Sequence, residues 1–217
     1  SLKSGKHGAI GVIAYNIGDA FAVDCITAME SYLEVNTNYR ALWMSCSVTD
    51  KQAAQPEQIL YEAAQYVDGL IIISARSRLT DAAILRFWAE KHLPIVTVVR
   101  AIPGDIIPGV AIDEQCGTML LVEHLVGLGH KRIGFCFREG DVNPYATLRF
   151  ETFKKLITEY GVEEDESLYT PVDGTHESGY AACKKLLKLE ARPSAIIGFS
   201  DLTAFGLIRA CFDAGLN

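Results

Sequence analysis

The stretch VEHLVGLGHKRIGF, Val122 to Phe135, joins the end of an amphipathic helix to the start of a buried strand. Gly127 and Gly129 can both adopt the left-handed conformation that ends a helix. The cations at 130–132 follow, where positive charge interacts favourably with the last helical carbonyls. The run IGFCF at 133–137 is apolar on both faces, as strands of parallel sheets are. This stretch therefore predicts the helix-to-strand connection of an α/β protein.

Strands and helices alternate on both sides of this connection. Because right-handed β-α-β crossovers place helices against a sheet, the alternation predicts parallel sheets with helices on both faces. We expect strands at 9–15, 40–46, 67–74, 95–99, 110–112, 132–137, 168–172 and 195–199. We expect helices that include 22–33, that begin at Pro56, and that span 79–92, 114–128, 147–160, 177–188 and 202–214.

The alternation is interrupted once, by the Gly- and Pro-containing stretch 102–109, and restarts near residue 130. This pattern predicts two lobes rather than one wide sheet. We expect residues 1–8 to be a linker remnant, 9–130 the N-terminal lobe and 131–217 the C-terminal lobe. The sequence stops just after a helix-ending glycine, where another strand should follow, so we expect the C-terminal lobe to be incomplete.

Composition excludes several classes of protein. A formal net charge of −7 gives no basic face for nucleic acid, so any DNA contact must come from a segment absent here. No apolar run reaches the roughly 20 residues that cross a bilayer, and we expect no signal peptide. The six cysteines contain no C-x-x-C pair, which favours buried free thiols in a reducing cytoplasm over a metal site. We expect no cofactor.

Candidate binding residues follow the strands, because ligands of open parallel sheets bind beyond the carboxyl ends of the strands. Carboxylates and a forked guanidinium can hydrogen-bond to neighbouring hydroxyls, and an aromatic ring can cover an apolar face. The candidates are Phe21, Ser74, Asp113, Arg149, Ser200 and Asp201. We expect Phe21, Ser74, Arg149, Ser200 and Asp201 to face one cavity between the two lobes, with Asp113 nearby. Arg149 and Asp201 would hold polar ligand atoms there, so Arg149→Ala should abolish the ligand response and leave folding largely intact.

Structural roles compete with each of these assignments. Asp201 could be the N-cap of the helix that follows it, and Phe21 could lie in the core. Arg149 stands on a charged helix and could be solvated. Asp173, which also follows a strand, precedes Gly174 and is typical of a turn.

Across essentially its whole length, the chain resembles the LacI/GalR (lactose/galactose-repressor) family of bacterial transcriptional regulators. The motifs that carry the resemblance are IGVI at 10–13, VDGLII at 67–72, HLVGLGHKRIGF at 124–135, RPSAII at 192–197 and SDLTAFGLIRACFDAGL at 200–216. The resemblance implies a two-lobed, periplasmic-binding-protein-like effector domain. A small molecule, such as a sugar, would bind between the lobes. Its binding would control how the N-terminal helix-turn-helix domain of a cytoplasmic homodimer holds operator DNA.

Several positions depart from the family pattern. Where the family usually has Asn, Asp, Asn-Pro and Gly, this chain has Ser200, Val99, Asp19-Ala20 and Thr152. A serine offers one hydroxyl in place of an amide, so hydrogen bonds to the ligand must differ there. The sequence therefore does not identify the ligand.

Two other functions remain to be compared with the regulator. A periplasmic sugar-binding receptor of a transport system would share the fold, but it would carry a signal peptide, and unpaired cysteines are less expected in its oxidising compartment. A hydrolase would use the turn GFSDL at 198–202, which lacks the final glycine of a nucleophile elbow and has no histidine after it. We therefore expect a regulator and no enzyme.

Overall fold

The computed structural model describes residues 7–15, 20–46, 56–73, 79–138 and 144–216. It forms two compact units, Ser1–Ile112 and Asp113–Asn217. Each unit contains a parallel sheet flanked by helices, which confirms the predicted α/β class. The division falls between Ile112 and Asp113 rather than near residue 130, because the helix that begins at Glu114 packs against the next helix of the second unit.

The sheet of the first unit has five parallel strands in the order β2-β1-β3-β4-β5. The strands are β1 Ala9–Tyr15, β2 Arg40–Cys46, β3 Gly69–Ile73, β4 Ile95–Val99 and β5 Gly109–Ala111. The helices are α1 Ala20–Asn36, α2 Gln58–Ala63 and α3 Asp81–Lys91.

Both faces of this sheet are covered. Ile13 of β1 packs in one core with Leu60 of α2 and Phe87 of α3, and all three side chains are fully buried. Its neighbour Val12 points to the opposite face and packs with Ile26 of α1. Because successive strand residues face opposite sides, a strand that is apolar throughout requires helices on both.

The second unit has three parallel strands in the order β7-β6-β8. The strands are β6 Ile133–Arg138, β7 Tyr169–Val172 and β8 Ala195–Ile197. The helices are α4 Glu114–Gly127, α5 Pro144–Glu159, α6 His176–Leu186 and α7 Asp201–Asp213, with a short 3₁₀ helix at Glu166–Leu168.

One face of the second sheet carries an aromatic core. Phe135 of β6 lies against Phe153 of α5, with ring centroids 4.5 Å apart. Phe150 meets Tyr169 edge-on at 5.2 Å, a geometry that aromatic pairs favour. These contacts anchor α5, and with it the residues that α5 presents at the edge of the sheet.

Two glycines bring α6 and α7 into close contact on the other side. A Cβ atom at Gly206 would lie 2.1 Å from the carbonyl oxygen of His176, and one at Gly179 would lie 2.2 Å from that of Thr203. Backbone atoms cannot yield at such distances, so only glycine fits at either position. This crossing fixes the position of α7 on the second unit.

The connection between α4 and β6 follows the prediction, with two differences. Gly129 has a left-handed φ of 89°, whereas Gly127 is the last residue of the helix itself. Arg132 was expected to interact with the last carbonyls of α4, but its partners lie elsewhere. It pairs with Glu163 and Asp165, which follow α5.

The cysteines of the described residues are free thiols, as predicted, but only some are buried. Burial raises the pKa of the Cys136 and Cys183 thiols to about 12. Cys116 on α4 is exposed, against expectation, and the side chain of Cys46 lies outside the described residues. Within the described ranges, no helix is both long enough and apolar enough to cross a membrane.

Candidate ligand-binding site

The carboxyl ends of the three strands of the second sheet meet at one edge. Arg138 ends β6, Asp173 follows β7, and Phe199 follows β8. Because the strands are parallel, this is the edge at which ligands of such sheets bind. The N-termini of α6 and α7 lie at the same edge and add partial positive charge.

Arg149 of α5 forms hydrogen bonds at this edge with Glu114 of α4 and with the carbonyl oxygen of Phe199. Its Nε and Nη2 groups donate to the two carboxylate oxygens of Glu114, at 2.5 and 2.7 Å. Glu114 is the first residue of α4 and is only 8% exposed, whereas the Arg149 side chain is 32% exposed. A buried carboxylate and a partly open guanidinium therefore form a two-point ion pair.

The other side of the same guanidinium contacts the β8–α7 connection. Nη1 of Arg149 donates to the carbonyl oxygen of Phe199 at 2.8 Å. The Cζ atom of Arg149 lies 5.4 Å from the centroid of the Phe199 ring, and that of Arg138 lies 5.8 Å from it. Arg149 thus connects α4, α5 and the segment that leads into α7, with a cation–π contact in addition.

Ser200 caps α7, so the capping role that the sequence allowed Asp201 falls to its neighbour. The Ser200 hydroxyl accepts from the backbone N–H of Thr203 at 3.4 Å. Asp201 is the first residue of the helix and its side chain is exposed. A carboxylate in this position is stabilised by the helix dipole and stays available to a ligand.

The two remaining aspartates at this edge have structural partners. Asp113 caps α4 by accepting from the N–H of Cys116 at 2.9 Å. Asp173 accepts from the backbone N–H of Thr175 at 2.9 Å, which confirms the predicted turn. Hydrogen bonds from the side chains of Ser178 and Thr175 lower the pKa of Asp173 to about 2, so it is ionised at neutral pH.

The structure therefore places Asp113, Arg149, Ser200 and Asp201 in one unit. Phe21 belongs to the first unit, where it stands at the start of α1 and is 43% exposed. Ser74 lies outside the described residues. That Phe21, Ser74, Arg149, Ser200 and Asp201 share one cavity, with Asp113 nearby, stays a prediction.

Sequence reasoning missed two participants, Glu114 and Phe199. Glu114 follows the capping residue Asp113 directly and has the sequence signature of an ordinary first-turn acid. Phe199 contributes mainly a backbone carbonyl, for which no residue type is a signal. Within the described residues, no group of three or more His, Cys, Asp or Glu side chains could hold a metal ion.

Comparisons with known proteins agree with this architecture. Residues 122–217 match the family described as a periplasmic binding protein-like domain. Catabolite control protein A from Priestia megaterium is 26% identical over 216 residues, which cover 100% of this chain and 63% of that protein. The HTH-type transcriptional repressor CytR from Escherichia coli K12 is 25% identical over 218 residues, covering 100% of this chain and 62% of the repressor. The chain thus spans less than two thirds of these relatives.

Solved structures show the same fold. The lac repressor dimer bound to operator and to the anti-inducer ONPF gives a TM-score of 0.79 at 22% identity, covering 100% of this chain and 73% of that one. A LacI family transcriptional regulator from Enterococcus faecium with bound ribose gives 0.76 at 23% identity, covering 96% and 73%. At these identities the structures support the fold, while the sequence relatives point to transcriptional regulators.

Proposed function

We propose that this chain is the ligand-sensing effector domain of a bacterial transcriptional regulator of the LacI/GalR type, in keeping with its sequence relatives and its fold. A small hydroxylated molecule, such as a sugar, binds at the carboxyl edge of the second sheet. Binding changes the affinity of the whole regulator for operator DNA. The names of the sequence relatives favour this function over that of a transport receptor.

One observation carries the proposal: Arg149 is held at this edge by Glu114 and by the carbonyl oxygen of Phe199, in the segment that leads into α7. Three of the five N–H groups of a guanidinium are used on Glu114 and Phe199, and the others can donate to ligand hydroxyls. Asp201 can accept from the same hydroxyls. A fixed donor and an exposed acceptor in the same unit suit the alternating donor and acceptor character of a sugar.

An aromatic side chain completes the chemistry that a sugar requires. The ring of Phe199 lies next to the guanidiniums of Arg138 and Arg149. An aromatic face can pack on the apolar C–H face of a sugar ring while polar groups hold its hydroxyls. We propose that ligand binding involves no catalysis, in keeping with relatives that are regulators.

DNA binding, in this proposal, belongs to a helix-turn-helix outside the chain. The net charge of −7 disfavours contact with DNA phosphates. This chain also spans only 62–63% of the length of its relatives, one of which is an HTH-type repressor. A regulator of this kind works with DNA in the cytoplasm.

We also propose a homodimer in which a second copy of the chain packs on α7. Four side chains form an exposed apolar stripe along this helix, Leu202, Phe205, Ile208 and Phe212, with 49, 59, 64 and 70% exposure. A stripe of this kind usually marks an interface, and two-fold pairing would present two DNA-binding domains to two half-sites. The lac repressor structure is itself a dimer on its operator.

The experiment that tests the site compares two substitutions that remove the same charge. Ribose, cellobiose and nucleosides are screened by thermal shift, and the strongest hit is titrated by calorimetry. Asp201→Asn should weaken that ligand about tenfold or more, because a charge-assisted hydrogen bond is lost. Glu190→Gln, an exposed carboxylate just before β8 at the opposite edge of the sheet, should leave the affinity unchanged. Equal affinities for Asp201→Asn and the unsubstituted chain would contradict the site.

A further inference from the structure

The ion pair between Glu114 and Arg149 bears on the charge that a ligand of this site can carry. A guanidinium recognises carboxylates and phosphates best through two parallel N–H groups, here those of Nε and Nη2. Glu114 already accepts from both. Since Glu114 is 8% exposed, a ligand that drew Arg149 away would leave an unpaired buried carboxylate, at a high cost in free energy.

The surrounding charges act in the same direction. Acidic side chains outnumber basic ones among the described residues at this edge of the second unit, with five carboxylates against two guanidiniums. The acids are Asp113, Glu114, Asp173, Glu177 and Asp201, and the bases are Arg138 and Arg149. The partial positive charge of the α6 and α7 N-termini, about half an elementary charge each, does not cancel this excess. A negatively charged ligand would therefore meet net repulsion, whereas a neutral polyol would not.

We propose that Glu114 is a specificity-determining residue that restricts this site to uncharged ligands by occupying the two-point face of Arg149. This inference rests on the proposed function, in which the carboxyl edge of the second sheet binds the effector. It excludes sugar phosphates and sugar acids as the effector and keeps neutral sugars and nucleosides.

The test uses inorganic phosphate as a probe, because it needs no knowledge of the natural ligand. Glu114→Gln keeps the size of the side chain and one acceptor for Arg149 but removes the charge. The substitution should release the guanidinium for an anion. In calorimetric titrations, the variant should bind phosphate at least about tenfold more tightly than the unsubstituted chain does, the gain expected from one charge-assisted contact.

Two further variants separate the possible origins of that gain. In the double variant Glu114→Gln/Arg149→Gln the gain should disappear, since the anion has lost its guanidinium. Glu114→Ala, which places no new polar group beside Arg149, should reproduce the gain if Glu114→Gln folds poorly. Far-UV circular dichroism verifies the fold of each variant before titration.

Three results would overturn the inference. The first is equal phosphate affinity in the unsubstituted chain and in both folded Glu114 variants. The second is tight phosphate binding by the unsubstituted chain. The third is a gain in phosphate affinity that persists in the double variant without Arg149. None of these readouts requires a sugar to bind. A failed sugar screen would count against the proposed function, whereas the phosphate series addresses Glu114 alone.

Discussion

Replacing Arg149 by alanine should destabilise the second unit, contrary to the sequence-based expectation that folding would be largely unaffected. The substitution removes both donors to Glu114 and the donor to the Phe199 carbonyl. It leaves an 8% exposed carboxylate without its cation. Removing one partner of a fully buried pair costs about 3–5 kcal/mol. Because the Arg149 side chain is 32% exposed, water replaces part of the interaction, and we expect about 2–4 kcal/mol.

Urea unfolding followed by far-UV circular dichroism measures this loss. The matched control is Arg209→Ala, which breaks an exposed i,i+4 pair with Asp213 on α7 and should cost less than about 0.5 kcal/mol. A double-mutant cycle with Glu114→Ala should give a coupling energy of at least about 1 kcal/mol between the two residues. The reasoning is refuted if Arg149→Ala and Arg209→Ala unfold at the same urea concentration.

Two further predictions concern other parts of the second unit. Gly206→Ala should lower the melting temperature markedly, because the added Cβ would meet backbone atoms of α6. The control Gly117→Ala, whose Cβ would meet nothing within 4 Å, should be neutral or slightly stabilising. Equal melting temperatures of the two variants would contradict the close crossing of α6 and α7. Hydrogen bonds from Ser167 and Arg132 lower the pKa of Asp165 to about 2 from its ordinary value of 3.8. The ionised Asp165 side chain therefore contributes its full stabilisation above pH 3.8, and this contribution is lost as the pH falls towards 2. Asp165→Asn should make the free energy of unfolding depend less steeply on pH in this acid range. An unchanged pH dependence would contradict the ion pair between Arg132 and Asp165.

The sequence predicted elements well where the signal was local. The bounds of β1 and β2 agree with the structure because continuous apolar runs end at polar or glycine-containing segments. Helix α5 begins at Pro144, three residues before the predicted start, because the apolar periodicity begins only after the first turn. Local patterns thus fix the type of an element better than its ends.

The contacts of the site were beyond such patterns. Glu114 and Arg149 lie 35 positions apart, and periodicity shows only which face of a helix is apolar. Arg149 donates to the carbonyl oxygen of Phe199, just before α7, because strand order brings the ends of β6 and β8 together. Its role in ligand binding stays a prediction. Its buried partner could not be inferred, because an acid after an N-cap is also what an exposed first turn contains.

The glycine crossing of α6 and α7 has a mechanical consequence. With backbone in contact with backbone, the two helices cannot slide along each other without a clash, so they respond to force as a single body. The capping end of α7 at Ser200 is separated from Phe212 by about 18 Å of helix. A ligand that displaces the first turn would shift the far end of the apolar stripe by a comparable amount. If a second copy pairs there, ligand affinity must vary with protein concentration, because each binding event changes the free energy of the other by the same quantity.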